Sequence, residues 1–295
     1  MAVLAVALLL PVSAAGASPA GTGVFPTLRP DLVAYYDFEH PLSPGVERDL
    51  GSSGTPLELV NGGAAMRVHG SLQTQQVNPG VAGNDDWKAG VYAAGGVASL
   101  GAFRSARQAS VLGWFKMTGT NPGLNSNTAN PDDRYNAVGL AGVLSGGSDG
   151  HAVRALLEII DVNGELRVVA LGRRVDGGSS QTFAASADWQ TVLPPNEWVF
   201  LAATFDYDRG TMALYRNGRA LPGFYTVTGD PWQVDGPPEP DLTSPTDPAG
   251  IKIGGSFPQN TRESNPCHCR MDELMFLDRA LSPVEVWLQY QWARR

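Results

Sequence analysis

Cysteine, charge and helical periodicity are all scarce in this sequence, and each scarcity excludes something. The two cysteines, Cys267 and Cys269, flank His268. Two thiols cannot frame the kind of small fold that disulfides hold together, and a fourth ligand at workable spacing is missing for a Cys-His-Cys metal site. Charged residues are 17% of the chain and the formal net charge is -8. Phosphate binding needs a cationic face, so nucleic acid is not expected as a partner. No HExxH helix or phosphate-cradling loop occurs, which leaves out common zinc-protease and nucleotide-binding signatures. Long apolar runs are missing too. The run at the start, Met1 to Val12 (MAVLAVALLLPV), is too short to span a bilayer as a helix, and no later stretch approaches that length, so membrane insertion is not expected.

What is present suits export and many short strands. Small residues follow the apolar run, and Ala15-Gly16-Ala17 has the form of a cleavage site before Ser18. Residues 1–17 are therefore expected to be a signal peptide and the protein to be secreted, although the basic residues that usually open such a signal are missing. Ser18 to Pro30 (SPAGTGVFPTLRP) reads as a Pro/Gly-rich leader, and residues 31–295 as one domain. The 35 Gly and 22 Pro follow no period, which excludes collagen and suits a chain of many turns.

Apolar-alternating runs of strand length stand between those turns: Leu32–Phe38, Gly90–Leu100, Ser110–Met117, Val138–Leu144, Arg154–Val162, Glu165–Arg173, Trp198–Tyr207, Thr211–Arg216, Gly250–Gly254 and Arg270–Leu277. Asn163-Gly164 and Asn217-Gly218 each supply the two positive-φ positions of a type I′ turn, which predicts two hairpins. One segment reads as a helix, Leu281–Arg295. Ser282 is its N-cap, Pro283 its first residue, and Glu285 completes a capping box. Val286, Leu288 or Gln289, and Tyr290 follow at helical spacing, with Arg294 and Arg295 at the favourable end of the dipole. Strands throughout with one short C-terminal helix predict an all-β, two-sheet antiparallel sandwich.

Three stretches together carry a family resemblance. They are LVAYYDFE at 32–39 with the following Asp49-Leu50-Gly51-Ser52-Ser53-Gly54 loop, EWVFLAATFDYDRGTMALYRNGRAL at 197–221, and CRMDELMFLDRALSPVEV at 269–286. In this order they resemble the laminin-G-like jelly-roll domain of secreted bacterial proteins, within the concanavalin A-like lectin/glucanase superfamily. The resemblance covers most of the chain from about Asp31 and implies a jelly-roll sandwich. It speaks less to function, which sits in sites grafted onto a fold.

The superfamily includes glucanases and lyases, so catalysis has to be weighed. Glucanases of this fold carry Glu, Asp and Glu at alternate positions of one strand, all facing the cleft. Here Glu158 and Asp161 are three apart and so point to opposite faces of a continuous strand, while Glu165 lies beyond the Asn163-Gly164 turn. The lyase pattern of clustered Arg, Gln-x-His and Tyr is absent. The resemblance also implies that Asp37, Glu39, Asp49 and Asp272 meet at one edge, where relatives often hold a structural calcium; the other reading is that they serve as hydrogen-bond acceptors at strand ends. In an exported protein Cys267 and Cys269 tend to oxidise, either to each other or to another chain. A bridge between them needs Cα atoms within about 6.8 Å.

For ligand contact the candidates are loop aromatics, since sugars are gripped by an exposed ring with a few polar groups that fix orientation. Trp87, Tyr135, Trp189 and Trp232 stand in loops, and Tyr135 follows Asp133 in a long Asn-rich loop from Thr118 to Asn136. Each of these rings can instead plug its loop onto the core. The expected function is a secreted carbohydrate-binding or adhesive module for a glycan or cell-wall polysaccharide, with a structural calcium ion as the cofactor that the resemblance implies. A divergent glycoside hydrolase or lyase and a domain that binds a surface protein are the alternatives.

Overall fold

The computed structural model describes residues 23–59, 68–75, 87–119, 138–144, 153–173, 180–226, 247–255 and 267–294. The signal segment 1–17, Asp133, Tyr135 and Trp232 lie outside the described residues. The strands are β1 (Leu32–Tyr36), β2 (Pro41–Ser43), β3 (Val46–Glu47), β4 (Leu57–Leu59), β5 (Leu72–Thr74), β6 (Ala89–Tyr92), β7 (Gln108–Met117), β8 (Val138–Leu144) and β9 (Val153–Val162). They continue as β10 (Glu165–Arg173), β11 (Ser180–Ala185), β12 (Val199–Asp206), β13 (Thr211–Arg216), β14 (Arg219–Ala220), β15 (Gly223–Tyr225), β16 (Gly250–Ile253) and β17 (Cys269–Leu277). Both Asn-Gly turns form as predicted: Asn163 and Gly164 (φ 58° and 86°) join β9 to β10, and Asn217 and Gly218 (φ 50° and 75°) join β13 to β14.

Among the described residues the strands make two antiparallel sheets. One runs β1-β17-β7-β12-β13-β14, with β5 also on β17, and the other runs β15-β11-β10-β9-β8-β16-β6-β4-β3-β2. Period-two alternation divides each strand between two environments. In β12, Leu201, Ala203 and Phe205 face the other sheet, while Phe200 and Ala202 face outward, and all are fully buried. The inward set meets Leu157, Ile159, Val168, Ala170, Ile251 and Ile253 of the second sheet to form the main core. The outward set joins Trp114, Tyr215 and Leu277 on the outer face of the same sheet, under a second layer that includes Val24, Leu28, Val286 and Ala293 and closes the back of the first sheet.

That second layer is built by both ends of the described chain. The C-terminal helix Pro283–Ala293 has the predicted capping box: the Ser282 side chain accepts from the Glu285 N–H, and the Glu285 carboxylate accepts from the Ser282 N–H. Its Val286 and Ala293 are buried against the sheet. The segment read as a leader is packed there too. Pro26–Asp31 forms a 3-10 helix, Val24 and Leu28 are buried, the Phe25 ring meets Trp292 edge-on at 5.6 Å, and the Phe25 N–H donates to Gln289 at 2.7 Å. The packed domain thus reaches back past Asp31. Its Pro and Gly content gives a loop signal, and the apolar Val24, Phe25 and Leu28 outweigh it. Gly90–Leu100, expected as one strand, is strand only to Tyr92, and Ala98–Arg104 turns into a second 3-10 helix.

The central strand β17 breaks register against β7 between Asp272 and Met275, a β-bulge in which Glu273 takes φ 53°. Gly113 on β7 makes room for it. A Cβ there would lie 2.5 Å from the Leu274 side chain and 3.2 Å from the carbonyl oxygens of Asp272 and Glu273. Among the described residues no helix is long and apolar enough to cross a membrane.

Candidate functional site

Three of the four carboxylates implied as a calcium site, Asp37, Asp49 and Asp272, accept hydrogen bonds from donors of the chain itself. Asp49 Oδ1 accepts from the backbone N–H groups of Tyr35 and Gly51, each at 2.7 Å. Its Oδ2 accepts from the Thr55 N–H at 3.0 Å and the Ser53 hydroxyl at 2.5 Å. Asp49 thereby pins its loop along β1, where the N–H groups of Leu50, Ser52 and Ser53 donate to the carbonyls of Tyr35, Leu32 and Val33. Gly51 lies so close that a Cβ would stand 2.5 Å from the Val33 carbonyl oxygen. Asp37 accepts from the Glu39 N–H at 3.1 Å and faces the His40 ring at 2.7 Å; Asp272 accepts from the Glu273 N–H at 2.9 Å; Glu39 is exposed. Calcium takes six to eight oxygens, whereas here the acids' lone pairs point at N–H and O–H groups. Among the described residues no three His, Cys, Asp or Glu side chains are gathered to hold a metal ion. Asp37, Glu39, Asp49 and Asp272 therefore do not fit the group.

The same edge holds a carboxyl that sequence reasoning passed over. Glu273 is 4% exposed, and the Tyr35 hydroxyl donates to its Oε2. Burial pushes its pKa up to about 7; the Tyr35 hydrogen bond works against this, and the negative charges of Asp37 and Glu39 add to it. Burial likewise raises the Tyr35 phenol above its ordinary value, with Glu273 as the next cause. Such a pair can hold or release one proton near neutrality. The sequence offers no sign of it, because Tyr35 and Glu273 are 238 positions apart.

The two carboxylates weighed for catalysis are kept apart. On β9, Glu158 lies opposite Val169 and Gly139 on the outer face of the second sheet, whereas Asp161 lies opposite Leu166, on the alternate face. Asp161 also accepts from the Gly164 N–H at 2.7 Å, so it serves the hairpin turn. Cys267 and Cys269 are joined by a disulfide, their Cα atoms 5.2 Å apart, and both are fully buried. Burial lowers the pKa of His268 between them.

Of the loop aromatics, Trp189 is core. It opens the helical turn Trp189–Val192, N-capped by Asp188, and its ring is only 6% exposed within the main core. Trp87 is half-buried against the same core and pairs through its backbone with Gln75. Among the described residues the rings exposed to solvent stand elsewhere: Phe224 (38%) and Tyr225 (37%) on β15, and Trp287 (47%) on the C-terminal helix. Pro222-Gly223 before Phe224 reads as a turn, which masked a three-residue edge strand.

The outer face of the second sheet carries two buried apolar patches, one of Leu144, Leu156 and Ala249 and one of Ile160, Val162, Val169 and Ala184. At its β15 end this face carries the Phe224 ring. Phe224 is opposite Ala184 of the second patch, with the Arg167 guanidinium 5.6 Å from the ring centroid.

This architecture recurs in solved proteins. Trypanosoma rangeli sialidase in complex with sialic acid superposes with a TM-score of 0.52 at 13% identity, over 88% of this chain and 33% of that one. A structure of botulinum neurotoxin type C, whose cell entry is described as dependent on two ganglioside molecules, gives 0.53 at 12% identity, over 92% of this chain and 53% of that one. The receptor binding domain of a botulinum neurotoxin C/D mosaic serotype gives 0.50 at 12% identity, over 89% and 51%. The chain thus spans about a third of the sialidase and about half of the toxin chains, and at these identities the likeness is one of fold. Comparison with curated proteins finds no match. The sequence profile of a laminin-G family, described as concanavalin A-like lectin/glucanases superfamily, matches residues 106–287, more than half of the chain. With the two-sheet sandwich and its capped C-terminal helix in place, the chain belongs to the concanavalin A-like lectin/glucanases superfamily.

Proposed function

We propose that this protein is a secreted carbohydrate-binding module, an adhesive domain for a glycan or cell-wall polysaccharide. The observation that carries the reading is its membership of the concanavalin A-like lectin/glucanases superfamily. Two further points support binding over cleavage. Glu158 and Asp161 lie on opposite faces of β9, whereas glycoside hydrolysis uses two carboxyl groups that flank one bond, about 5–9.5 Å apart. A solved neighbour that shares this fold, a botulinum neurotoxin whose cell entry depends on interaction with two ganglioside molecules, supports the glycan reading. Export rests on the apolar start and the Ala15-Gly16-Ala17 cleavage pattern.

A second reading, a domain that binds a protein, is favoured by Val284 and Trp287, which expose 65% and 47% of their surface one turn apart on the C-terminal helix. The test is thermal unfolding over a panel of soluble polysaccharides, with reducing ends assayed in parallel. A ligand that binds only the folded state stabilises it by about 2.7 kcal/mol at a hundredfold excess over its dissociation constant. A shift with one polymer and no new reducing ends is the expected result. Release of sugar ends would make the protein a hydrolase or lyase instead, and no shift with any polymer would move the assignment to the protein-binding reading.

A further inference from the structure

The glycan reading leaves open where on the sandwich a sugar would sit, and the rings first considered are core, half-buried or outside the described residues. We infer that the exposed ring of Phe224, with the Arg167–Glu165 ion pair beside it, is a platform for a pyranose unit of a neutral polysaccharide; the inference rests on the glycan reading and gives it a site.

Phe224 belongs to β15, which among the described residues ends its sheet and pairs on one side only, with β11. Its partner Ala184 faces outward with Val169 and Ile160, so the ring projects from the outer face and not into the main core. Arg167, on the same face of β10, reaches across β11 to the ring. Its head is held from three sides. Nη1 donates to the carbonyls of Ala185 at 3.1 Å and Ser186 at 2.5 Å, and Nη2 donates to the Glu165 carboxylate. The Arg167 side chain is 14% exposed and that of Glu165 62%. A guanidinium fixed in this way, against a ring on a short strand, is ordered before any ligand arrives, and the entropy cost of ordering it on binding falls accordingly.

The chemistry selects the ligand. A single ring beside a polar pair matches one sugar, whose C–H face lies on an aromatic and whose hydroxyls need donors and acceptors at the edge. After its bonds to Ala185, Ser186 and Glu165, Arg167 keeps one Nη2 N–H to give, and the Glu165 carboxylate keeps acceptor capacity for hydroxyl groups. Glu165 also cancels the charge of Arg167, and the chain's net charge is -8, so an anionic sugar is offered no attraction. An extended peptide adding to the sheet is a poorer fit, since the β15 edge offers only three residues of ladder.

The test is affinity electrophoresis of the full chain in gels holding a soluble β-glucan, a galactan, a mannan or polygalacturonate. The variants are Phe224→Ala, Phe224→Tyr and Glu165→Gln, with melting curves for each. The expected result has wild type retarded by at least one neutral polymer, Phe224→Ala weakened by about tenfold at an unchanged melting point, and Phe224→Tyr close to wild type. Glu165→Gln, which uncovers the charge of Arg167, should begin to bind polygalacturonate. Wild-type binding that Phe224→Ala leaves intact overturns the site while the glycan reading stands. Wild type retarded only by polygalacturonate overturns the neutral class, and retardation by none of the four overturns site and reading together.

Discussion

Replacing Glu273 by Gln should change the pH dependence of stability in a way that can be worked out beforehand. The carboxyl ionises near 4.5 in the unfolded chain and near 7 in the folded one. Between those values the folded state holds a proton that the unfolded state has lost, so this group's contribution is fully present below about pH 4.5 and disappears as pH rises through 7. A difference of about 2.5 units at 1.36 kcal/mol each is about 3 kcal/mol in all, of which between about 2 and 3 is lost between pH 5 and pH 8. Gln has the same shape and no charge to bury. Glu273→Gln should therefore gain on wild type by about 2–3 kcal/mol across that interval, or about 5–10 °C in melting temperature for a domain of this size. Contributions from the other acids are common to both proteins and largely cancel in the difference. Urea unfolding at pH 5, 6, 7 and 8, with near-ultraviolet circular dichroism at pH 5 to confirm the same packing, reads it directly. Parallel pH profiles for the two proteins would refute the reasoning and mean that Glu273 is ionised in the fold throughout.

Three more expectations concern the same edge and its neighbours. Asp49→Asn keeps an acceptor for Tyr35 and Gly51 but turns an amide N–H₂ toward Thr55 and Ser53, so it should lose about 1–3 kcal/mol in chemical unfolding, with Asp49→Ala losing more; equal stability of all three proteins would show that the loop holds itself. Because Asp49 is saturated by donors and the described acids are not gathered into a metal cluster, melting curves with calcium and with chelator should superimpose, and a calcium-dependent rise of several degrees would restore the cage that the family resemblance implies. The Cys267–Cys269 bridge closes so small a loop that reducing it in the unfolded chain should cost about 1.5 kcal/mol. Since both sulfurs are fully buried, thiol labelling of the native protein under mild reductant should be slow; rapid labelling would contradict the burial.

How far the fold could be read depended on how local each signal was. The two Asn-Gly turns and the Ser282–Glu285 capping box lie within a few residues of what they organise, and they were legible. The long strands were legible through their apolar runs, because β7, β12 and β17 are covered on both faces and so carry hydrophobic side chains at most positions. The short strands were not. β2, β3, β5 and β15 have two or three residues each, and a partner strand distant in sequence, not their own composition, decides that they are strands at all. Val24 to Leu28 was hidden for a related reason. Its apolar residues are too few to outweigh Pro and Gly locally, and the outer face of the first sheet and the C-terminal helix, with Gln289 and Trp292 more than 260 positions away, give them a place to pack.

The candidate site was less legible than the fold because its residue types are ambiguous until burial is known. Trp189 and Phe224 are both aromatics beside turn residues; one is 6% exposed and the other 38%, and nothing within five residues of either announces the difference. The acids of the family-like motifs show the same ambiguity with the opposite outcome. Asp49 and Asp37 read as ligands, yet the donors of their own loops claim their lone pairs. That assignment has a consequence for evolution of function on this sandwich. If the Asp-Ser-Gly loop and the bulge at Glu273 hold the β1 edge together, they are constrained by stability and cannot be retuned for a new ligand without loss. The edge strand β15 is under no such constraint, since Phe224 and Glu165 touch neither the main core nor the Asp49 network. Binding chemistry can be varied there at the least cost in stability, which agrees with the platform proposed at Phe224 and leaves the motif acids to the architecture.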